Sequence, residues 1–287
     1  MAVAAALYAY SMWGILPLLF WAMRGTSSLQ ILAHRVVWGL FFLGGIVLWN
    51  KRTATLVETF RNPRLLVRLM LSAILIASNW LLFIMTVEHR HVLDASLGYF
   101  INPLVNVLFG VALLGERLRP LQGVAVAMAA VGVVVLAVDG GGGSWIAIAL
   151  AVTFSLYGLV RKLIPVPAIE GLVVETVLLF PFALAFLVLP GTASWMWDLP
   201  AMTGLLLLVT GPFTALPLLF FTYAAQRMPY STLGLFQYIS PSMQFVLALT
   251  VFGESFRPLH AAVFGLIWAG LALYVYDSRR ARSRFLA

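Results

Sequence analysis

The sequence predicts an all-α integral membrane protein of ten transmembrane helices, arranged as two inverted five-helix repeats. Three observations carry that prediction. Of 287 residues, 62% are apolar and only 10% charged, with a mean hydropathy of +1.00; soluble domains carry about 25% charged residues. Apolar runs of about 20 residues, long enough as helix to cross about 30 Å of hydrocarbon, recur from end to end. Shifted by 138 residues, the chain also matches itself.

Taken in order, the expected spans are 2–23, 30–49, 67–87, 93–114 and 121–138, then 145–163, 169–189, 201–225, 232–252 and 259–276. The first run has no charge. A cleavable signal would need a basic start and a shorter apolar stretch, so this run reads as a retained helix. Residues 1–138 form the first repeat and 145–277 the second. "DGGGGS" (139–144) is a flexible joint, and residues 278–287 are a basic tail. With no cysteine, disulfide and thiol chemistry are excluded.

The formal net charge of +8 is spread unevenly. With the N-terminus placed in the cytoplasm, inside segments hold 14 of the 18 Lys and Arg, from Lys51 to Arg284. Outside loops keep Arg24, Arg90 and Arg257, and Arg35 falls within the membrane. This positive-inside bias predicts a multi-pass protein of the cell (inner) membrane with both termini cytoplasmic. The charge therefore sets orientation and gives no reason to expect nucleic acid as a partner.

The internal match is extensive. "INPLVNVLFGVALLGERLRPL" (101–121) falls on "ISPSMQFVLALTVFGESFRPL" (239–259), and "SLGYF" falls on "TLGLF". Matches at nearly one offset indicate an internal repeat. Five spans per repeat turn the second one over, so "GERLRP" is expected inside and "GESFRP" outside. Inverted repeats are the architecture of many secondary transporters, with the binding site near the midplane. No Walker motif is present, so ATP is not expected to drive the chain directly. No cofactor is expected.

Several polar residues interrupt the apolar spans. Tyr99, Asn102, Pro103 and Asn106 share one helix face in the fourth span, and Gln237, Ser240, Pro241 and Gln244 repeat the pattern in the ninth. Such groups face a bundle interior or a watery cavity. They are read either as helix glue or as the lining of a shared cavity, and the duplication favours the cavity. Gln30, His34 and Trp38 form another line, with Arg35 beside it, and Glu175 takes the equivalent place in the seventh span. Charges at helix centres cost about 2.5–3.5 kcal/mol each on insertion scales and persist when paired, hydrated or functional. An Arg35–Glu175 pair is one reading, although the two lie at different depths. For Arg161 and Lys162, at the inner end of the sixth span, snorkelling and reception of an anionic substrate both stand. Asn79 needs a partner and is counted, with His34, among the candidate substrate-binding residues, and Trp80 is read as packing or cavity wall. "EHRH" (88–91) with Asp94 reads as a solvated turn, so no metal site is expected. Gly14, Gly98 and Gly132 are expected to permit close helix contact.

"ILAHRVVW", "NWLLF", "ASLGYFINPLVNVLFGVALLGERLRP", "YGLVRK" and "STLGLFQYISP" resemble the RarD branch of the EamA-type drug/metabolite transporter superfamily. The resemblance runs from the first span to the tenth. It implies a permease of two inverted EamA repeats, from a branch whose founding members were linked to chloramphenicol sensitivity. It also implies a central cavity lined by the first, third, fourth, sixth, eighth and ninth spans, among others.

The expected function is thus secondary transport of small polar or amphipathic metabolites, such as amino acids or drug-like compounds, by alternating access. Tyr99, Asn102, Asn106, Gln237, Tyr238 and Gln244 would supply hydrogen bonds, and Trp13, Trp38, Trp80 and Tyr157 aromatic walls. Glu175 and His34 are the candidates for coupling to protons, with Arg35 and Arg161 as further charge candidates. A small-molecule substrate and membrane lipids are the expected partners. A non-transporting receptor or scaffold is disfavoured by the short loops. An intramembrane enzyme is disfavoured by scattered acids, of which Glu116 and Glu254 look like helix caps or gating contacts.

Overall fold

Why the apolar runs become helices follows from hydrocarbon itself, where every backbone polar group must find a partner inside its own segment. The computed structural model describes residues 1–88, 92–139, 145–189, 191, 198–251 and 258–286, and within them it is helical, with no strand. The helices are α1 (Ala2–Ala22), α2 (Ser28–Trp49), α3 (Thr53–Arg61), α4 (Pro63–Glu88), α5 (Val92–Ala112) and α6 (Pro120–Asp139). They continue as α7 (Trp145–Leu163), α8 (Ala168–Val188), α9 (Ala201–Ala225), α10 (Tyr230–Phe236), α11 (Ile239–Thr250) and α12 (Pro258–Leu286). Of these, α1, α2, α4, α8 and α9 contain stretches long and apolar enough to cross a membrane. Large side chains such as Phe41, Val67, Phe182 and Met202 stand exposed on their outer faces, as lipid contact requires.

Local chemistry sets several boundaries. Ser27 caps α2, its Oγ accepting from Gln30 N at 3.3 Å. Asn62 caps α4, its Oδ1 accepting from Arg64 N and Leu65 N at 3.1 and 3.2 Å. Pro63 takes the first helical position, where its missing N–H costs nothing. Thus α4 starts before the expected residue 67, because Arg64 and Arg68 had shortened the apolar window.

Three features depart from expectation. Between the second and third spans lies the short helix α3, whose Leu56 and Phe60 pack on Leu69, Ile164 and Val174. The ninth span is not one helix: it breaks at Gln237 and Tyr238 into α10 and α11. Pro241 lacks the N–H that would reach Gln237, and the chain tightens there through Gln237 N to Gly234 O and Ser240 N to Gln237 O, both 3.1 Å. The basic tail continues the helix, since α12 runs to Leu286.

Packing is dominated by contacts between the two halves of the chain. α1 packs on α9, α4 on α7, α5 on α7 and α10, α2 on both α8 and α9, and α6 on α12. Glycines allow the closest approaches. A Cβ on Gly14 would meet Met243, one on Gly132 would meet Ile267, and one on Gly211 would enter the backbone of Trp38 and Gly39. Gly98 lies among side chains outside the described set.

Gly211→Ala is therefore expected to destabilise the protein by about 1–3 kcal/mol through overpacking, although Ala is the better helix former. Gly265→Ala, with nothing within 4 Å of the added carbon, should be neutral or stabilising. Thermal unfolding of the purified variants measures both, and equal behaviour of the two contradicts the α2–α9 crossing.

Candidate functional site

The four helices α2, α4, α8 and α9 enclose a cavity that α2 and α8 reach with charged side chains. Arg35, Trp80, Glu175, Thr176 and Thr214 line it, among apolar neighbours including Leu43, Ile76 and Leu218. It is narrow, about 20 Å³, room for roughly one or two waters. Arg35 is 3% exposed and Glu175 1%.

Glu175 is paired, but not with Arg35. Arg161 Nε lies 3.3 Å from Glu175 Oε1, and Ser72 Oγ donates to the same oxygen at 2.6 Å. Arg161 is fully buried, which overturns the snorkelling expectation. Its guanidinium reaches inward over Gly171, where a Cβ would collide with it. The absence of a side chain at Gly171 is thus what admits the cation. Tyr157 lies within electrostatic reach of this pair. Tyr157 also interacts through hydrogen bonding with Glu175 and Thr222, while Arg161 Nη1 is buried without a hydrogen-bond partner among the described residues.

Arg35 is held separately. Its Nε donates to Thr214 Oγ1 at 2.9 Å, and its Cζ stands 4.5 Å from the Trp80 ring centre and 5.5 Å from that of Phe20. His34 accepts from Trp38 Nε1 through Nδ1 at 3.2 Å, one helical turn apart as their spacing requires. Its Nε2 is buried and unpartnered. Gln30, on the same line, is buried.

The amide stripes lie elsewhere. Asn106 Nδ2 donates to Gln237 Oε1 at 2.9 Å, across α5 and the break before α11. Asn102 accepts from Ser155 Oγ on α7. Asn79 Nδ2 donates to Leu150 O at 2.9 Å and Thr153 Oγ1 at 3.0 Å. Gln244 Nε2 reaches Trp13 O at 3.2 Å. These amides clasp pairs of helices and do not line the cavity described above. Trp13 and Tyr157 belong to an aromatic cluster with Tyr10, Phe154 and Phe221. Tyr99 packs edge-on against Phe83, within electrostatic reach of Arg35. Tyr238 is buried beside Phe100. Of the residues singled out from sequence, the cavity therefore brings together Arg35, Trp80 and Glu175. It is built from α2, α4, α8 and α9, and the helices at the expected first, fourth, sixth and ninth spans contribute none of its lining.

Thr214 and Ser72 were missed. Each is a hydroxyl facing a charge from the other half of the chain, and single hydroxyls in apolar helices carry little signal. Glu116 does act as a cap: its carboxylate accepts from Tyr230 N at 2.6 Å, Ser231 N at 2.9 Å and Ser231 Oγ at 2.6 Å. Glu254 and residues 89–91 lie outside the described residues, so the cap or gating contact expected of Glu254 and the turn at "EHRH" are not placed. Among the described residues no group of acids and histidines is arranged to hold a metal.

Glu175→Leu alone should cost about 3–5 kcal/mol, because it strands Arg161 as a buried cation. Adding Arg161→Met should recover much of that loss. Thermal unfolding in detergent reads the cycle, and a single variant as stable as the wild type contradicts the pair.

Comparison with known proteins agrees with this frame. The model of the EamA-like transporter family matches residues 1–138. An uncharacterized transporter of Vibrio cholerae serotype O1 is 44% identical over 97% of this chain and 93% of that protein. Protein RarD of Escherichia coli (strain K12) is 43% identical over 96% of this chain and 94% of its own length. A crystal structure 21% identical in sequence has the same fold, with a TM-score of 0.74 over 98% of both chains. Near-complete coverage at such identity makes the chain a multi-pass membrane protein of the EamA-like transporter family, in its RarD branch.

Proposed function

We propose that the chain is a secondary transporter of small polar or amphipathic metabolites, working by alternating access at the cavity between α2, α4, α8 and α9. The observation that carries this reading is Arg35 and Glu175 in one buried cavity on spanning helices, where ionisable groups persist for function or for pairing. The relatives named as transporters support the class.

The two halves, 1–138 and 145–277, would rock against each other as inverted repeats. Their packing supports this. Exchanging α1 with α7, α2 with α8, α4 with α9, α5 with the α10–α11 pair and α6 with α12 maps the main helix contacts onto one another. The cavity's own bonds follow the same exchange: Arg35 on α2 bonds Thr214 on α9, and Glu175 on α8 bonds Ser72 on α4. Amide clasps such as Asn106–Gln237 would hold helices of opposite halves during that motion. The charge distribution supports an inner-membrane protein with both termini cytoplasmic. The end carrying those termini is braced across the chain by Arg52–Glu170 at 3.0 Å and Arg119–Asp277 at 2.6 Å.

Protons are the proposed coupling ion, with Glu175 as their acceptor and His34 as the second candidate. In proteoliposomes, an imposed pH difference should accelerate flux of the cognate solute. Glu175→Gln should remove that acceleration and lower the coupled rate by about tenfold, equivalent to 1.4 kcal/mol in the barrier. Saturable flux indifferent to pH removes the coupling and spares uniport, whereas no flux of any solute across a metabolite panel removes transport itself.

A further inference from the structure

Arg35 is a buried cation whose described neighbours include no anion. It sits about 10 Å along α2 from Ser28, by the 1.5 Å rise per residue. Its contacts are neutral: the Thr214 hydroxyl, the faces of Trp80 and Phe20, and Tyr99. Nη1 is buried without a hydrogen-bond partner among the described residues. His34 beside it adds no evident charge, since its Nδ1 accepts from Trp38 and so carries no proton.

Other described carboxylates in contact with the bundle are taken. Glu170 pairs with Arg52, Asp277 with Arg119 and Glu175 with Arg161, while Glu116 caps α10. Aromatic faces attract a desolvated guanidinium, but they do not neutralise it. A fixed guanidinium with its Nη1 unused is matched by a planar carboxylate, the anion best suited to its fork of donors.

Charge balance narrows the choice. Among the cavity lining, Arg35 and Glu175 are the ionisable residues, and Arg161 already offsets Glu175. Among the described residues the cavity therefore carries one net positive charge. A monoanion neutralises it; a zwitterion leaves it in place, an amine doubles it and a dianion reverses it. The remaining wall is mostly apolar, from Leu43, Ile76, Leu179 and Leu218, with the Trp80 ring.

We propose that Arg35 binds the anionic group of the transported solute, and that this solute is an organic monocarboxylate with an apolar or aromatic body. This rests on the transport reading and specifies its substrate class. Arg35 is the binding residue, Thr214 positions it, and Trp80 stacks against both guanidinium and solute. Because the cavity is too narrow for such a body in this state, the helices must part to admit it.

The full chain in lipid nanodiscs tests the assignment by calorimetry and by ligand-induced thermal shift. The probes are butyrate, octanoate, phenylacetate and indole-3-acetate, with phenylalanine, phenethylamine and phenylphosphonate as charge controls. At least one monocarboxylate should bind about tenfold or more tightly than all three controls. Arg35→Gln should remove that preference while leaving the unliganded protein at least as stable, since it deletes an unpaired buried charge. Should Arg35→Gln fail to fold, Arg35→Lys is read instead. It keeps the charge but loses the planar fork, so carboxylate affinity should fall about tenfold.

Asp94→Asn should leave carboxylate binding unchanged. Carboxylate binding gained in Asp94→Asn would identify Asp94 as the missing counter-ion and overturn the proposal. Binding of no monocarboxylate, equal binding of phenethylamine, or undiminished carboxylate binding in the Arg35 variants also overturns it. If neutral or cationic solutes are nevertheless moved in proteoliposomes, transport stands and the substrate class falls. An Arg35-dependent response to chloride that organic anions do not exceed reduces the site to an inorganic-ion site, which overturns the substrate assignment as well.

Discussion

A charge placed in hydrocarbon must be compensated, and the interior of this protein is arranged around that demand. Born solvation makes an isolated buried ion far more costly than any single helix contact can offset. Glu175 and Arg161 meet the demand by facing each other across α8 and α7, with Ser72 of α4 adding a hydrogen bond. That arrangement dictates local sequence, because the guanidinium reaches its partner only over a residue without a side chain, Gly171. Arg35 meets the demand only in part, through a hydroxyl and two rings. Glu175 thus faces a cation, whereas Arg35 faces no anion among the described residues.

Neutral polar groups follow a milder rule and do a different job. An amide between membrane helices contributes roughly 1 kcal/mol or less, enough to select a partner and too little to lock it. Asn79, Asn102, Asn106 and Gln244 each join α-helices from the two halves of the chain. Such contacts set register between the two halves of the chain. The stronger links sit at helix ends. There Glu116 takes three bonds from the start of α10, and Lys162 Nζ donates to Ala225 O and Met228 O at 3.0 and 2.8 Å.

Much of this was legible in the sequence, and the gaps have physical causes. Apolar length located the long helices, because a helix in hydrocarbon has no other way to satisfy its backbone. His34 and Trp38 were readable as neighbours because their spacing is one helical turn. Partner choice was not readable: Glu175 lies between two candidate cations, and only the bend of Arg161 over Gly171 decides between them. The amide stripes were recognised as interior, but facing a partner and facing a cavity leave the same pattern on one helix. The break at Gln237–Tyr238 had its signal in Pro241. Yet Pro103 stands inside α5 without ending it, so a proline alone could not settle the point. Helix α3 escaped because nine residues with charges at 58 and 61 fall below any spanning window.

The most direct measurement uses the absence of cysteine in this chain. Single cysteines introduced at Ile76 and at Thr214, on opposite walls of the cavity, would be challenged in cells and in inverted vesicles with a membrane-impermeant thiol reagent. A cavity that alternates between the two faces predicts labelling from both sides, with the balance shifting when a transported solute is supplied. Labelling from neither side, with the protein folded and cysteines at exposed positions reacting normally, would make the charged cavity a sealed structural core and contradict the account.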